Sequence, residues 1–303
     1  MFYNNIYRNI YSGEEGINIF ERGRGIPHNT PDLFRIGNIQ TDKFIRPEYR
    51  LPYSDTPIWT TTASQGCPYC CDYCHFEKIP YATRDLSDLE MELENIYSKG
   101  IRHIHFRDQC FGHQHFNSII RILRKYDFEF TIYARADSFR KFQLKELKKS
   151  GLSTVETGVE SSVYSTRKKH GKMISDKKYT DFIQTLHSLD IQTNLIFIIG
   201  LEDTSSEAKG IIRFLKKTHP DFISLNTLIR KPGTSLNPDY CAENMDPSLS
   251  NDRKRNNIRT DIYIRYYFHP AVLFRQLKSI KKISALIHLI RNGYFLLKNI
   301  FFR

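Results

Sequence analysis

Three closely spaced cysteines constrain this 303-residue chain more than any other feature. Three residues separate Cys67 from Cys71, and two separate Cys71 from Cys74, within the segment 64–76, which reads SQGCPYCCDYCHF. Three thiolates on one short loop can bind three irons of a cubane four-iron, four-sulfur cluster and leave the fourth iron open. Clusters with four cysteine ligands are saturated and transfer electrons. The three-cysteine loop therefore predicts a cluster that also binds another molecule.

Other uses of these cysteines fit the sequence less well. Two zinc knuckles, Cys67-x-x-Cys70 and Cys71-x-x-Cys74, would need a second half-site about 12 to 20 residues away. Only two further cysteines exist, at positions 110 and 241. A Cys-x-x-Cys redox motif does not need four thiols in eight residues. Nothing else in the sequence suggests secretion, which is the setting that favours disulfides.

The cysteine spacing, with an aromatic residue directly before the last cysteine, resembles the radical S-adenosylmethionine (radical SAM) superfamily. The resemblance implies that Cys67, Cys71 and Cys74 bind the cluster and that Cys70 does not. It also implies that Tyr73 flanks the cluster and places a backbone group on the adenine of S-adenosylmethionine. In that superfamily an electron from the cluster cleaves S-adenosylmethionine to a 5′-deoxyadenosyl radical, which abstracts hydrogen from a substrate. The cofactors carry the chemistry and the protein orients them.

Two motifs further along the chain support this resemblance. The segment 158–161, Gly-Val-Glu-Ser, resembles the fourth-strand turn of the superfamily. It implies that Glu160 and Ser161 contact the nucleoside or the amino group of S-adenosylmethionine. The apolar segment 197–200 resembles the fifth-strand motif, which implies that adenine packs on Ile198 and Gly200. A glycine there lets a planar base approach the backbone closely.

Two other strand ends carry less specific signals. Asp108 follows the second predicted strand and resembles the first position of an Asp-Asp-x-Phe variant, found in the cobalamin-linked branch of the superfamily. Arg135 follows the third predicted strand, where its guanidinium fork suits the carboxylate of S-adenosylmethionine. A salt bridge from Arg135 to Asp137 or to Glu160 is an equally good interpretation. At the sixth strand the segment 232–234, Pro-Gly-Thr, also resembles the superfamily.

The hydrophobic pattern predicts an α/β fold. Apolar runs of four to eight residues alternate with longer amphipathic segments, which predicts a parallel sheet with helical crossovers. The predicted strands are Ile58–Thr62, Ile101–Phe106, Phe130–Ala134, Thr154–Gly158, Gln192–Ile199 and Phe222–Leu228. The predicted helices are Asp88–Ser98, Phe116–Lys125, Lys141–Ser150, Lys177–Leu189 and Ser205–Lys217. Each motif follows a strand, where parallel barrels place their chemistry. The resemblance implies a partial (β/α)6 TIM-like barrel rather than a barrel of eight units.

The domain organisation is predicted to be a radical SAM barrel over residues 58–240 between two extensions. Residues 1–57 form an irregular N-terminal extension, in which parts resemble the linker that follows a cobalamin-binding domain. The domain itself needs over a hundred residues and an Asp-x-His-x-x-Gly motif. Neither is present, so cobalamin binding is not expected from this chain alone. Residues 241–303 form a helical C-terminal extension.

The C-terminal extension carries nearly all of the net charge. From Arg253 onward there are twelve Lys or Arg residues and one acid, which gives +11 of the chain's +12. Apolar residues recur there at helical spacing; this C-terminal stripe comprises Leu273, Leu277, Ile280, Ile283, Ile287, Ile290, Tyr294 and Leu297. Three interpretations stay open: the stripe packs on the barrel, lies on an anionic membrane surface, or binds nucleic acid.

The sequence therefore predicts a radical SAM enzyme that uses a four-iron, four-sulfur cluster and S-adenosylmethionine. Its substrate is expected to be a small or lipid-like molecule, and its electron donor a flavodoxin or ferredoxin. Nucleic acid is not the expected partner. With no secretory signal at the start, we expect a cytoplasmic protein or one peripheral to the inner membrane face. The alternatives are an RNA-modifying radical SAM enzyme and a non-catalytic iron–sulfur or zinc module.

Overall fold

A computed structural model of the chain describes residues 57–77, 79–201, 206–229, 234–236 and 253–279, together with residues 287, 290, 293 and 294. The N-terminal extension lies outside the described residues except for Pro57. Pro232 and Gly233 also lie outside them, as do Ile280, Ile283 and Leu297 of the C-terminal stripe. The domain boundaries therefore remain predictions.

The strands are short and are separated by helices along most of the chain. They are β1 (Ile58–Thr61), β2 (Ser64–Gln65), β3 (Ala82–Thr83), β4 (His103–Phe106), β5 (Glu129–Tyr133), β6 (Leu152–Glu160), β7 (Gln192–Ile199) and β8 (Phe222–Thr227). The helices are α1 (Leu86–Ser98), α2 (Phe116–Leu123), α3 (Lys141–Lys149), α4 (Tyr164–Lys169), α5 (Asp176–Ser188), α6 (Glu207–Thr218), α7 (Arg253–Tyr267) and α8 (Pro270–Ser279).

Six strands form one parallel sheet in the order β1-β4-β5-β6-β7-β8. Every neighbouring pair is parallel, and each new strand is added beside the one before it. All six strands therefore end at the same rim. The predicted α/β fold with six parallel strands is confirmed, and it corresponds to a partial TIM-like barrel. A two-stranded antiparallel ladder, β2 with β3, stands apart from this sheet.

Helices α1, α2, α3, α5 and α6 pack on the sheet because each presents buried apolar residues to the core. In α1 these residues are Leu89, Leu93 and Ile96, which have no exposed surface. Apolar strand residues of the same core, such as Phe106 and Ile132, lie opposite the helices. Alternation along each strand sends the intervening side chains to the other face, which lines the inside of the partial barrel.

The sequence located the long elements well and missed the short ones. Strand β7 has the predicted bounds, and β6 extends the predicted Thr154–Gly158 by two residues at each end. The two-residue strands β2 and β3 were not predicted, because so short a segment shows no hydrophobic period. Helix α4, six residues long, was missed for the same reason.

Helix α7 covers the open edge of the sheet at β8. The backbone N–H of Leu225 donates to the hydroxyl of Tyr263 at 3.0 Å, and that of Ile223 donates to Tyr267 at 3.1 Å. The hydroxyl of Tyr266 donates to the carbonyl of Pro220. An unpaired edge strand is a liability because its backbone groups can recruit another chain. Tyrosine side chains here satisfy the groups that a further strand would bind.

The described part of the C-terminal stripe is exposed. Leu273, Ile287, Ile290 and Tyr294 are 44 to 63% exposed, and packing of the stripe on the barrel stays one of the open interpretations. Helix α7, which precedes the stripe, joins the core through Ile262 and Tyr266. No helix within the described ranges is both long and apolar enough to span a membrane.

Removal of one edge hydroxyl is expected to destabilise the protein. In Tyr263→Phe the N–H of Leu225 loses its acceptor, and a buried unsatisfied donor costs about 1–3 kcal/mol. At roughly 2–4 °C per kcal/mol, we expect Tm to fall by about 2–12 °C in thermal unfolding of anaerobic protein. Tyr164→Phe is the control, since Tyr164 is a 44% exposed tyrosine of α4. Equal Tm values for the two variants would contradict the edge role of α7.

Candidate functional site

The cysteine loop projects from the rim and is closed at its base by the β2–β3 ladder. Cys71 is buried, Cys67 and Cys74 are half-buried, and Cys70 is exposed. The N–H of Cys74 donates to the carbonyl of Cys71 at 2.9 Å, so these two residues lie on one tight turn. Burial raises the pKa of the Cys67 thiol. The predicted non-ligand is thus the most exposed cysteine of the loop.

Gly66 makes the base of this loop narrow. Its φ is +74°, and a Cβ atom added there would lie 2.1 Å from the carbonyl oxygen of Pro80. Only glycine fits so close a backbone approach at positive φ. The N–H of Gly66 donates to Gln109 Oε1 at 3.1 Å, which ties the loop to the end of β4.

Asp108 holds the chain that leads into the loop. Its side chain is fully buried, and both carboxylate oxygens accept from the N–H of Ala63 at 3.1 Å. The Ser64 hydroxyl donates to Oδ1 at 2.5 Å. Burial raises the pKa of Asp108 to about 6, although these hydrogen bonds oppose the rise. Its contacts are therefore with the loop backbone, and a role in binding S-adenosylmethionine stays a prediction.

The segment after β6 lies against the other side of the loop. His170 Nδ1 lies 2.9 Å from both carboxylate oxygens of Asp72. The His170 ring meets Tyr73 edge-on at 6.2 Å between centroids. A Cβ added to Gly171 would lie 2.4 Å from the carbonyl oxygen of Cys70. Sequence reasoning missed His170, since a lone histidine 98 residues from its partner has no local signal.

Glu160 forms a nearly buried ion pair at the end of β6. Lys172 Nζ donates to Glu160 Oε1 at 2.8 Å, and both side chains are at most 13% exposed. Burial disfavours the Lys172 charge, yet the attraction of Glu160 raises the pKa of Lys172 above its usual value. Glu160 has a φ of +67°, where the pairing of β6 with β7 shifts register. An unusual backbone conformation at a strand end is common at functional sites.

Gly158 makes room for this ion pair. A Cβ added to Gly158 would lie 2.1 Å from Glu160 Oε1 and 2.8 Å from Lys172 Nζ. Ser161 is also buried, but its hydroxyl accepts from the N–H of Val163 at 3.0 Å and shapes the turn that follows. A contact between Ser161 and S-adenosylmethionine remains a prediction.

Arg135 forms a salt bridge with Asp137, as one of the two interpretations of this residue predicted. Its Nε and Nη2 atoms donate to the two carboxylate oxygens of Asp137, each at 2.9 Å. The guanidinium also lies over the ring of Tyr69, 3.6 Å from the centroid, which brings β5 against the cysteine loop. Glu160, the other proposed salt-bridge partner, is bound by Lys172 instead. A contact between Arg135 and the carboxylate of S-adenosylmethionine stays a prediction.

The end of β7 lies beside α7. Gly200 has a φ of +92°, and its N–H donates to both carboxylate oxygens of Glu207 at 2.9 and 3.1 Å. A Cβ added to Gly200 would lie 2.8 Å from Arg255 Nε. Arg255 also donates to the carbonyl of Leu228 at 3.2 Å. The surface of Gly200, predicted to receive adenine, therefore has Arg255 beside it, while Ile198 is half-buried on the same strand.

The donor set fits an iron–sulfur cluster. Three thiols stand on one loop, which the ends of β4 and β5 and the segment 170–172 support. In the part of the chain that the structure describes, no three His, Cys, Asp or Glu side chains converge on a point suitable for a single metal ion. A cubane cluster does not require such convergence, because each thiolate binds a different iron. The residues present therefore fit the predicted group.

Comparison with known proteins assigns the family. The model of the radical SAM superfamily matches residues 61–215, which is just over half of the chain. The chain belongs to the radical SAM superfamily, and it is an enzyme of that superfamily whose reaction type is open. Its cofactors are a four-iron, four-sulfur cluster and S-adenosylmethionine, which this superfamily uses.

Three relatives illustrate the likeness. An uncharacterized methyltransferase of Pyrococcus horikoshii is 26% identical over 294 residues, which cover 86% of this chain and 63% of the relative. The radical S-adenosylmethionine methyltransferase TsrM from Kitasatospora setae gives a TM-score of 0.53 at 16% identity, over 59% of this chain and 38% of TsrM. The cobalamin-dependent enzyme OxsB gives 0.52 at 16% identity, over 78% of this chain and 45% of OxsB. The chain spans less than two thirds of each relative, and the structural likeness concerns the fold.

A methyl group at position 158 is expected to break the ion pair of β6. In Gly158→Ala the new Cβ meets Glu160 and Lys172, and separation of a buried pair costs about 3–5 kcal/mol. We expect the free energy of unfolding in urea to fall by about that amount. Gly293→Ala is the control, because a Cβ there meets nothing within 4 Å. Unchanged stability in Gly158→Ala would mean that the pair moves aside without loss.

Proposed function

We propose that Cys67, Cys71 and Cys74 bind the four-iron, four-sulfur cluster and leave one iron for S-adenosylmethionine. The observation that carries this proposal is the position of the three-thiol loop, tied to the strand ends of a chain that belongs to the radical SAM superfamily. When bound, the cluster and S-adenosylmethionine supply one-electron cleavage of the sulfonium and hydrogen abstraction from a substrate.

The surrounding residues orient these cofactors. Gln109 and His170 fix the loop from opposite sides, so that the thiols keep their spacing. Glu160 is held by Lys172 at the rim, where its carboxylate can accept hydrogen bonds from the cofactor's hydroxyl or amino groups. Tyr73, Asp108, Arg135, Ser161, Ile198 and Gly200 complete the proposed cofactor-binding set.

Methyl transfer is the reaction class to test first, since two relatives carry names of methyltransferases. The enzyme also needs a reductant, and a flavodoxin or ferredoxin supplies electrons of suitable potential. An RNA-modifying enzyme is the alternative that the basic extension favours. Salt-dependent binding of a tRNA in a gel-shift assay would support that alternative.

Cysteine substitutions provide the direct test. We expect Cys67→Ala, Cys71→Ala and Cys74→Ala to lose the reduced-cluster signal in electron paramagnetic resonance, because a missing thiolate leaves an iron without a protein ligand. In the wild type, S-adenosylmethionine should shift that signal, and 5′-deoxyadenosine should form under dithionite. These measurements use anaerobic protein reconstituted with iron and sulfide.

Cys70→Ala is the matched control in the same loop. Cys70 is exposed, and we expect its variant to keep the cluster, the signal shift and nucleoside formation. A wild-type cluster that shows neither a shift nor nucleoside formation would favour the non-catalytic module. Loss of the cluster in Cys70→Ala would overturn the ligand assignment.

We also propose that the C-terminal extension contacts an anionic membrane surface. Leu273 and Phe274 are 44 and 71% exposed, and the surrounding segment carries the excess of positive charge. Basic charge next to exposed apolar side chains favours anionic lipid.

Vesicle sedimentation tests this contact. We expect the protein to sediment with phosphatidylglycerol vesicles and not with phosphatidylcholine vesicles, and to be released by high salt. Phe274→Ser should weaken the binding, whereas Phe142→Ser, which changes a 59% exposed residue of α3, should not. Equal sedimentation with both lipids, or with neither, would contradict the proposal.

A further inference from the structure

The segment that follows β6, residues 161–178, concentrates positive charge beside the cysteine loop. This α4 segment contains six Lys or Arg residues and one acid, Asp176. Residues 1–252, to which it belongs, carry a net charge of only +1, because the C-terminal extension holds +11 of the chain's +12. The α4 segment is therefore a local basic surface in a region whose other residues carry a net negative charge.

Arg167 holds the two ends of the α4 segment together. Its side chain has no exposed surface and pairs with the carboxylate of Asp176. Its Nη1 atom donates to the carbonyl of Ser161 at 2.7 Å, and its Nε atom donates to the carbonyl of Ile174 at 3.1 Å. The planar guanidinium thus binds three groups at once and fixes the backbone from which the exposed side chains project.

One side of the α4 segment contacts the cysteine loop. His170 lies directly after α4 and binds Asp72, and a Cβ added to Gly171 would lie 2.4 Å from the carbonyl oxygen of Cys70. Gly171 and Cys70 are both exposed, so the surface of the segment continues onto that of the loop. An α-helix is about 10–12 Å across with its side chains. A protein resting on the outer side of α4 therefore lies about one helix diameter from the loop.

The outer side of the α4 segment carries cations without counter-ions. Lys168, Lys169 and Lys178 are exposed, and within the described ranges none of them forms an ion pair. The other two lysines of the segment each bind a carboxylate. A cluster of unpaired cations attracts an acidic partner and increases its rate of association.

The same segment exposes three apolar side chains. Val163, Tyr164 and Met173 are 40, 44 and 68% exposed. Apolar side chains with charged residues around them are typical of protein–protein interfaces, and methionine adapts readily to the shape of a partner. A surface of this small size suits a transient contact, since electron-transfer complexes have some of the smallest interfaces.

We propose that the α4 segment is the docking surface for the electron carrier that reduces the cluster, a small acidic protein of the flavodoxin or ferredoxin class. The inference rests on the proposed function, because the electron must reach a cluster bound by the cysteine loop. One electron passes from the carrier to the oxidised cluster, so the carrier is oxidised by one electron and no atom is transferred. The unpaired lysines attract the acidic carrier, and the exposed apolar side chains contact it.

Nucleoside formation driven by two different reductants tests the proposal. Anaerobic, cluster-loaded protein with S-adenosylmethionine receives either dithionite, which needs no docking surface, or a bacterial flavodoxin kept reduced by its NADPH-dependent reductase. We expect the double variant Lys168→Glu/Lys169→Glu to need about tenfold more flavodoxin for half-maximal 5′-deoxyadenosine formation, because two attractions become repulsions. Its rate with dithionite should equal that of the wild type. Met173→Ser should also need more flavodoxin.

Lys216→Glu/Lys217→Glu is the matched control. Lys216 and Lys217 are neighbouring exposed lysines of α6 and form no ion pair within the part of the chain that the structure describes. Helix α6 begins at the rim, where Glu207 binds Gly200, and ends at the opposite end of the barrel. We expect this variant to respond to flavodoxin like the wild type.

The two reductants distinguish this inference from the proposed function. No nucleoside from the wild type with dithionite counts against the proposed function. Nucleoside with dithionite but with neither flavodoxin nor ferredoxin overturns the docking proposal alone. Equal flavodoxin dependence of the wild type and the α4 double variant, or equal weakening in both double variants, also overturns it. Loss of vesicle sedimentation in the α4 double variant, with unchanged flavodoxin dependence, would assign the surface to a membrane instead.

Discussion

The cysteine loop depends on contacts from strand ends that are distant in sequence. The described residues from Gly66 to Glu77 contain no helix or strand, and turns such as the one from Cys74 back to Cys71 shape them. Gln109 at the end of β4 and His170 after β6 bind the loop from two directions. A parallel sheet makes this arrangement available, because all six strands end at one rim and bring their following residues together.

The rim of the barrel and its interior hold different kinds of polar contact. At the rim, charged groups are paired in the structure: Glu160 with Lys172, and Arg135 with Asp137. These pairs keep side chains oriented before any cofactor arrives. Inside, Glu156 Oε1 accepts a hydrogen bond from the Asn194 amide, which also bonds to Ser224.

Local patterns explain what the sequence predicted, and distance along the chain explains what it did not. Apolar runs identify strands such as Gln192–Ile199, and cysteine spacing identifies a cluster loop, because both signals lie within a few residues. The Asp72–His170 pair spans 98 residues, and the contact of Glu156 with Asn194 spans 38. The second contact also depends on strand register, which composition does not reveal. Arg255 lay in a segment notable for its charge, and nothing in that segment indicated Gly200 as its neighbour.

The edge contacts of α7 restrict the lengths of two elements at once. Four residues of helix rise about 6.0 Å, while two residues of strand rise about 6.6 Å. Tyr263 and Tyr267 therefore stay nearly in phase with Leu225 and Ile223, and the mismatch grows by roughly 0.6 Å with each further pair. The two spacings match closely enough for a strand of six residues, but they would not match along a much longer strand. A one-residue insertion between the two tyrosines would rotate one of them away from the sheet by about 100° and so remove one of the two edge contacts.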